Sequence, residues 1–213
     1  MPEILCLANS PKENARCIAG LDLKTGRLVR PVSATTSQVI PNDWAVAQGK
    51  PVEPLDVIDI PFVRGDAVVP FQAENRYCKE GWDRTDRWKA SDIRRFCESD
   101  SRLLGTADSE PIAERFFKLK RHGRAGWKSL QLIHVRSVDF RQVDEKWMGS
   151  FRTRNKRWYD LRLTDERFIE GIKPTRKFEC LLLLSLTRPW RHYCAPKHKP
   201  KKCYKLIAGV LPL

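Results

Sequence analysis

Short apolar runs broken by turn residues open the chain, spaced as strands rather than as helices. Ile4-Leu5-Cys6-Leu7-Ala8, Arg16 to Leu23 and Arg27 to Val32 read as strands, punctuated by Asn9-Ser10-Pro11 and Lys24-Thr25-Gly26. The second of these turns predicts a hairpin. Leu55 to Phe62 is a further strand, with Val57, Ile58 and Ile60 as its apolar positions. The period then changes. Ser91 is placed to cap a short helix with Ile93, Phe96 and Cys97 on one face. Ser109, with Pro111 in the first turn, starts a second helix carrying Ile112, Phe116 and Leu119, and Gly123 is its stop. After residue 126 strands return: Leu130 to Phe140, Lys146 to Arg152, Trp158 to Leu163, Phe178 to Leu186 and Tyr204 to Leu211. Five strands of this kind suffice for a small closed barrel. The pattern predicts a mainly β chain with minor α content. It has barrel-like halves at 1–75 and 127–213 and a helical connector at 76–126, and the last strand could complete either barrel.

Composition adds a polarity to this outline. The 213 residues include 40 Lys and Arg against 26 Asp and Glu, a net charge of +14. Residues 1–75 hold 7 basic and 9 acidic groups, whereas residues 76–213 hold 33 and 17. The excess therefore belongs wholly to the later part of the chain and points to a polyanionic partner. The longest apolar run, Cys180 to Leu184, is too short to cross a bilayer, and Ile4 to Ala8 is too short for a signal peptide. A soluble cytoplasmic protein without a membrane partner is expected. Seven cysteines without CxxC spacing, four of them in apolar segments, predict reduced buried thiols rather than a disulfide framework.

Several strings together resemble a known family. They are Ile4-Leu-Cys-Leu-Ala-Asn-Ser-Pro-Lys12, Arg16-Cys-Ile-Ala-Gly20, Arg30-Pro-Val-Ser33, Leu55-Asp-Val-Ile58 and Phe71-Gln-Ala-Glu-Asn75. Later in the chain come Ser129-Leu-Gln-Leu-Ile133, Tyr159-Asp-Leu-Arg-Leu-Thr-Asp165, Ser185-Leu186 and Cys203-Tyr-Lys-Leu-Ile-Ala-Gly209. The set resembles the dual OB-fold-containing domain family of prokaryotes. The resemblance implies two OB-like β-barrels and nucleic-acid binding, as an accessory beside helicases or nucleases in defence or repair. It supplies no catalytic residues.

Candidate chemistry concentrates in the second half. Arg152-Thr-Arg-Asn-Lys-Arg-Trp-Tyr159 packs Arg152, Arg154, Lys156 and Arg157 beside Trp158 and Tyr159, in a turn between two strands. Cations for phosphates interleaved with rings for bases are what a single-strand binder uses. The bland alternative is a solvated hairpin tip whose rings anchor the core. Tyr159, Leu161 and Leu163 share one strand face, so Tyr159 is expected inside and Trp158 outside. Trp127 is a further candidate ring. Residues 188–205 carry Arg188, Arg191, Lys197, Lys199, Lys201, Lys202 and Lys205 without an acid. A loop of that charge grips a phosphate backbone without reading sequence. At the other end of the chain Asn9, Lys12, Arg16 and Arg30 could converge on a ligand, or else close a turn and form a salt bridge across the barrel.

Metal and catalytic signals are weaker. His192, Cys194, His198 and Cys203 offer zinc-type donors, but their spacing matches no regular finger or ribbon. Asp56/Asp59 and Asp165/Glu166 could hold magnesium in a metal-dependent nuclease, while no phosphate loop, GxSxG or HExxH is present. The expectation is a binder without catalytic residues or cofactor, favouring single-stranded DNA or RNA. The alternatives are a nuclease, and a protein-interaction subunit that docks an acidic partner.

Overall fold

The fold comes from a computed structural model that describes residues 2–12, 14–34, 38–66, 69, 71–100, 102–119, 128–171, 177–191 and 194–213. Its first half contains β1 (Glu3–Lys12), β2 (Ala15–Asp22), β3 (Arg27–Val32), β4 (Val46–Ala47), β5 (Lys50–Pro51), β6 (Asp56–Asp59), β7 (Phe62–Asp66), β8 (Asn75–Cys78) and β9 (Asp83–Arg87). The hairpin around Lys24-Thr25-Gly26 is present. Asp22 Oδ1 accepts the Lys24 and Thr25 amides at 3.0 Å each, and Gly26 takes the left-handed conformation that ends the turn.

Seven of these strands form one sheet in the order β7-β8-β3-β2-β1-β6-β9. Only Ile60 and Pro61 separate β6 from β7, yet five strand spacings lie between them in that order. At about 4.8 Å per spacing a flat sheet would need roughly 24 Å, while a two-residue link reaches about 10 Å. The sheet must therefore curl round on itself.

Next come α1 (Ala90–Ile93), β10 (Ile112–Ala113) and α2 (Glu114–Leu119). The second half holds β11 (Leu130–Val143), β12 (Lys146–Arg152), β13 (Trp158–Leu163), α3 (Glu166–Glu170), β14 (Phe178–Leu186), β15 (Lys202–Cys203) and β16 (Lys205–Pro212). Here β11-β12-β13-β16-β14 closes into a barrel, built from the five strands that the sequence pattern predicts. In each half three strands form an antiparallel meander. The third also pairs in parallel with a later strand (β3 with β8, β13 with β16), and the first pairs antiparallel with the strand that follows the meander in the sheet (β1 with β6, β11 with β14). Four of the five pairings of the closed barrel thus recur in the first sheet, although no residue-level repeat reveals it.

Some boundaries differ from the pattern. β8 and β9 belong to the first sheet, so its strands run to Arg87 rather than ending at residue 75. Lys89, not Ser91, occupies the N-cap of α1. Ser109 caps no helix either: its hydroxyl accepts the Asp160 amide at 3.3 Å, and Ile112 pairs with Cys203 as a strand before α2 begins.

The halves meet through strands buried on both faces. In β1, Ile4 and Cys6 point into the first barrel, while Leu5 and Leu7 join Leu130, Leu132, Leu181, Leu183 and Leu211 of the second. In β14, Cys180, Leu182 and Leu184 fill the second barrel and the intervening leucines pack the seam. This is why both runs are continuously apolar instead of alternating. Gly209 lets the halves approach, since a Cβ there would lie 2.3 Å from the Leu7 carbonyl oxygen.

Candidate nucleic-acid interface

Strand alternation on β13 decides which ring faces solvent. Tyr159, Leu161 and Leu163 point inward, and Tyr159 is 1% exposed with its ring stacked on Phe151 at 5.8 Å. Trp158 points outward and is 65% exposed. Its cross-strand partner is Arg152, also exposed. Beyond this pair the turn is tightly made. Thr153 N donates to Arg157 O at 3.0 Å, Lys156 N donates to Thr153 O at 2.9 Å, and Lys156 adopts a left-handed φ of 65°. Arg154, Lys156 and Arg157 all stand exposed on it. Arg157 reaches back to Ala107 O at 3.0 Å, and Arg152 Nε donates to Lys156 O at 3.1 Å.

The rest of the outer face is polar and internally paired. Arg141 Nη2 lies 2.7 Å from Asp160 Oδ2 and its Nη1 donates to Ser150, whose hydroxyl donates to Asp160 Oδ1 at 2.9 Å. Next to the turn is a cleft of about 350 Å³, lined by Asp100, His134, Arg136, Arg152, Thr153 and Arg154. Arg136 is the residue the sequence reading passes over. Its signal is the break in alternation at Arg136-Ser137, where β11 bulges between Val135 and Val138.

The 187–204 segment is the loop between the barrel's last two long strands. Lys197, Lys199, Lys201 and Lys202 are exposed on it. Arg191 donates to the Lys197 and Lys199 carbonyls at 2.5 and 3.2 Å, which organises the loop from inside. Arg188 is half-buried, with Nη2 3.4 Å from Gln38 Oε1. The connector joins this loop to the turn: Glu114 N bonds to Lys201 O, while Ala107 and Ser109 meet Arg157 and Asp160.

Three of the candidate contact residues are inside and leave the contact surface. Lys205, 4% exposed, places its ammonium among Thr106 Oγ1, Asp108 and the Glu110 carbonyl, fastening the connector to β16. Burial pushes its pKa down, against the pull of Asp108. Asn9, 6% exposed, donates to Val52 O at 2.8 Å. Arg30, 2% exposed, sits in the seam, donating to Asn75 Oδ1, Ser129 Oγ and Ser185 Oγ at 3.1, 3.0 and 3.1 Å. Ser129 in turn donates to Glu74 at 2.6 Å, so a carboxylate answers the guanidinium through one hydroxyl. Each of these groups is covered by a distant part of the chain: the connector for Lys205, the segment around Val52 for Asn9, and the second barrel for Arg30. Lys12 and Arg16 are half-buried on the first barrel, whereas Arg30 is buried.

Cys203 is packed in the second core, where burial raises its thiol to about 12, whereas Cys194 and His198 are exposed. His192 and Trp127 lie outside the described residues. Among the described residues no three His, Cys, Asp or Glu side chains gather as metal donors. Asp56 is fully buried and is held by Arg84 at 2.9 Å, Arg87 at 2.6 Å and the Glu53 amide at 2.8 Å. Asp165 caps α3, accepting the Phe168 amide at 3.2 Å and the Val210 amide at 3.0 Å. No helix among the described residues is long and apolar enough to cross a membrane.

A curled sheet and a closed barrel that share four strand pairings, packed on one another, define a tandem OB-type protein. The sequence model of the dual OB-containing domain matches residues 2–210, and the chain belongs to that family. Neither the curated proteins nor the solved structures contain a match to it.

Proposed function

We propose that the protein is a non-catalytic binder of single-stranded nucleic acid, and that the strand lies across the outer face of β12 and β13. OB-type barrels take oligonucleotides on this face and on the loop between their last two strands, and here that loop is the lysine-bearing 187–204 segment. One observation carries the reading: Trp158 stands 65% exposed beside Arg152, Arg154, Lys156 and Arg157, while its neighbour Tyr159 is inside. An exposed indole by itself is ordinary on a protein surface. Set among cations, it suits a base stacking on the ring with its phosphates on the arginines. The lysines of the loop add sequence-independent grip. The test is a gel-shift panel of single- and double-stranded DNA and RNA at several salt concentrations. Tight, steeply salt-dependent binding of single strands supports the reading, and salt-insensitive or absent binding to all four overturns it.

A further inference from the structure

We propose that the cleft between β11 and the β12–β13 turn seats a single phosphate group of the bound strand, one nucleotide step from Trp158. The proposal rests on the nucleic-acid reading above and narrows it from a charged face to one built subsite.

Three guanidinium side chains, Arg136, Arg152 and Arg154, line the cleft. Among the described residues none of the three is ion-paired; the neighbouring bridges are Arg94–Glu179, His134–Glu179 and Arg141–Asp160. The acids near the cleft are otherwise engaged. Asp100 is buried and accepts the Arg154 amide at 2.7 Å, so it fixes the turn from below. Glu179 is held by His134 Nε2 at 2.6 Å and Arg94 Nη2 at 3.4 Å. Three cations thus converge with one carboxylate beneath them, an arrangement whose mutual repulsion an anion relieves. The guanidinium fork matches phosphate oxygens in pairs.

The supports are rigid as well. Arg152 is braced by its Nε bond to Lys156 O, the Arg154 backbone is held by its amide bond to Asp100, and Arg136 stands on the β11 bulge between Val135 and Val138. A volume of about 350 Å³ lies at the lower end for small-ligand sites. Arg152 both lines the cleft and stands directly opposite Trp158. Facing side chains on an antiparallel pair have Cβ atoms about 5 Å apart. A phosphate in the cleft and its base on the indole are therefore joined by the sugar of one nucleotide.

Salt titration separates one seat from three independent contacts. Each phosphate neutralised on a single strand contributes about 0.7 to the slope of log affinity against log salt. The triple variant Arg136→Gln, Arg152→Gln, Arg154→Gln is compared with the wild type on an oligothymidylate of about twelve nucleotides. A shared seat predicts a slope smaller by about 0.7 and an affinity lower by about tenfold or more. A slope smaller by about 2 means three separate phosphates, and an unchanged slope removes the cleft from the interface; either result overturns the proposal. If the triple variant melts early, Arg136→Gln with Arg154→Gln keeps the Arg152 brace and should lose the same slope. If the wild type binds no oligonucleotide, the reading above fails, and the seat is tested by itself with inorganic pyrophosphate. A rise in melting temperature present in the wild type and absent in the triple variant retains the seat. No rise in the wild type overturns it.

Discussion

Arg152 and Trp158 are direct cross-strand partners on β12 and β13, and both side chains stand on the solvent face. A cation and a flat ring held side by side by a β-ladder present phosphate and base contacts without any loop needing to order. Trp158→Ala should therefore cost about 1–3 kcal/mol of single-strand affinity, the usual loss for one stacked base, and leave the melting temperature close to wild type. Tyr159→Ala should do the reverse. It empties a core position stacked on Phe151 and should destabilise the fold by about 3 kcal/mol. Oligonucleotide titration and thermal melts of both variants check this. A Trp158→Ala protein that binds normally and melts early would show the ring to be structural.

The turn offers a second test. Replacing Arg152, Arg154, Lys156 and Arg157 together with Ala should flatten the salt slope by about 2. That is one shared seat plus one contact each for Lys156 and Arg157, at about 0.7 apiece. Folding should survive, because all four side chains are exposed, with a modest loss from the Arg157 bond to Ala107 O. A folded variant with the wild-type slope would place the strand elsewhere.

Arg30 should behave oppositely. Its guanidinium ties three neutral partners, Asn75 on the neighbouring strand and Ser129 and Ser185 across the seam, and Arg30→Ala leaves all three buried without it. The expected cost is about 2–4 kcal/mol of stability, from polar groups left unsatisfied and a cavity. Affinity for oligonucleotides, measured on the folded fraction, should not change. Lost affinity in a stable Arg30→Ala protein would contradict its structural role.

What the sequence makes legible is local. Period-two alternation places Tyr159, Leu161 and Leu163 inside and Trp158 outside, and continuous runs such as Ile4 to Ala8 mark strands buried on both faces. Non-local pairing is not written so plainly. β9, Asp83-Arg84-Thr85-Asp86-Arg87, is an edge strand whose polar residues carry no apolar signal, and β8 pairs in parallel with a strand some 45 residues earlier, at Arg30↔Asn75. Arg30 and Lys205 look like surface cations because the partners that bury them come from other parts of the chain. The cleft combines β11, the connector and the turn, so its members are separated by up to 54 residues, as in Asp100 and Arg154.

Asp165 gives a pH prediction of definite sign. Burial pushes its carboxyl above the ordinary value of 3.8, against the lowering effect of the Val210 and Phe168 amides. The folded state therefore binds this proton more tightly than the unfolded chain does. Between the unfolded and folded pKa values the native state carries more protons, so this group's contribution to stability falls as pH rises through that window. Asp165→Asn keeps an oxygen for the Phe168 amide but removes the titration. Urea unfolding of both proteins from about pH 3.5 to 7 should show the wild type losing ground to the Asn variant as pH rises above about 4. Glu53 and Asp108, whose carboxyls are held below the usual range by Arg167 and Lys205 despite partial burial, act in the opposite direction. They are common to both proteins and cancel in the difference. A wild-type minus variant difference that is flat with pH, or that rises with it, would show that Asp165 is not held in its protonated form by the fold.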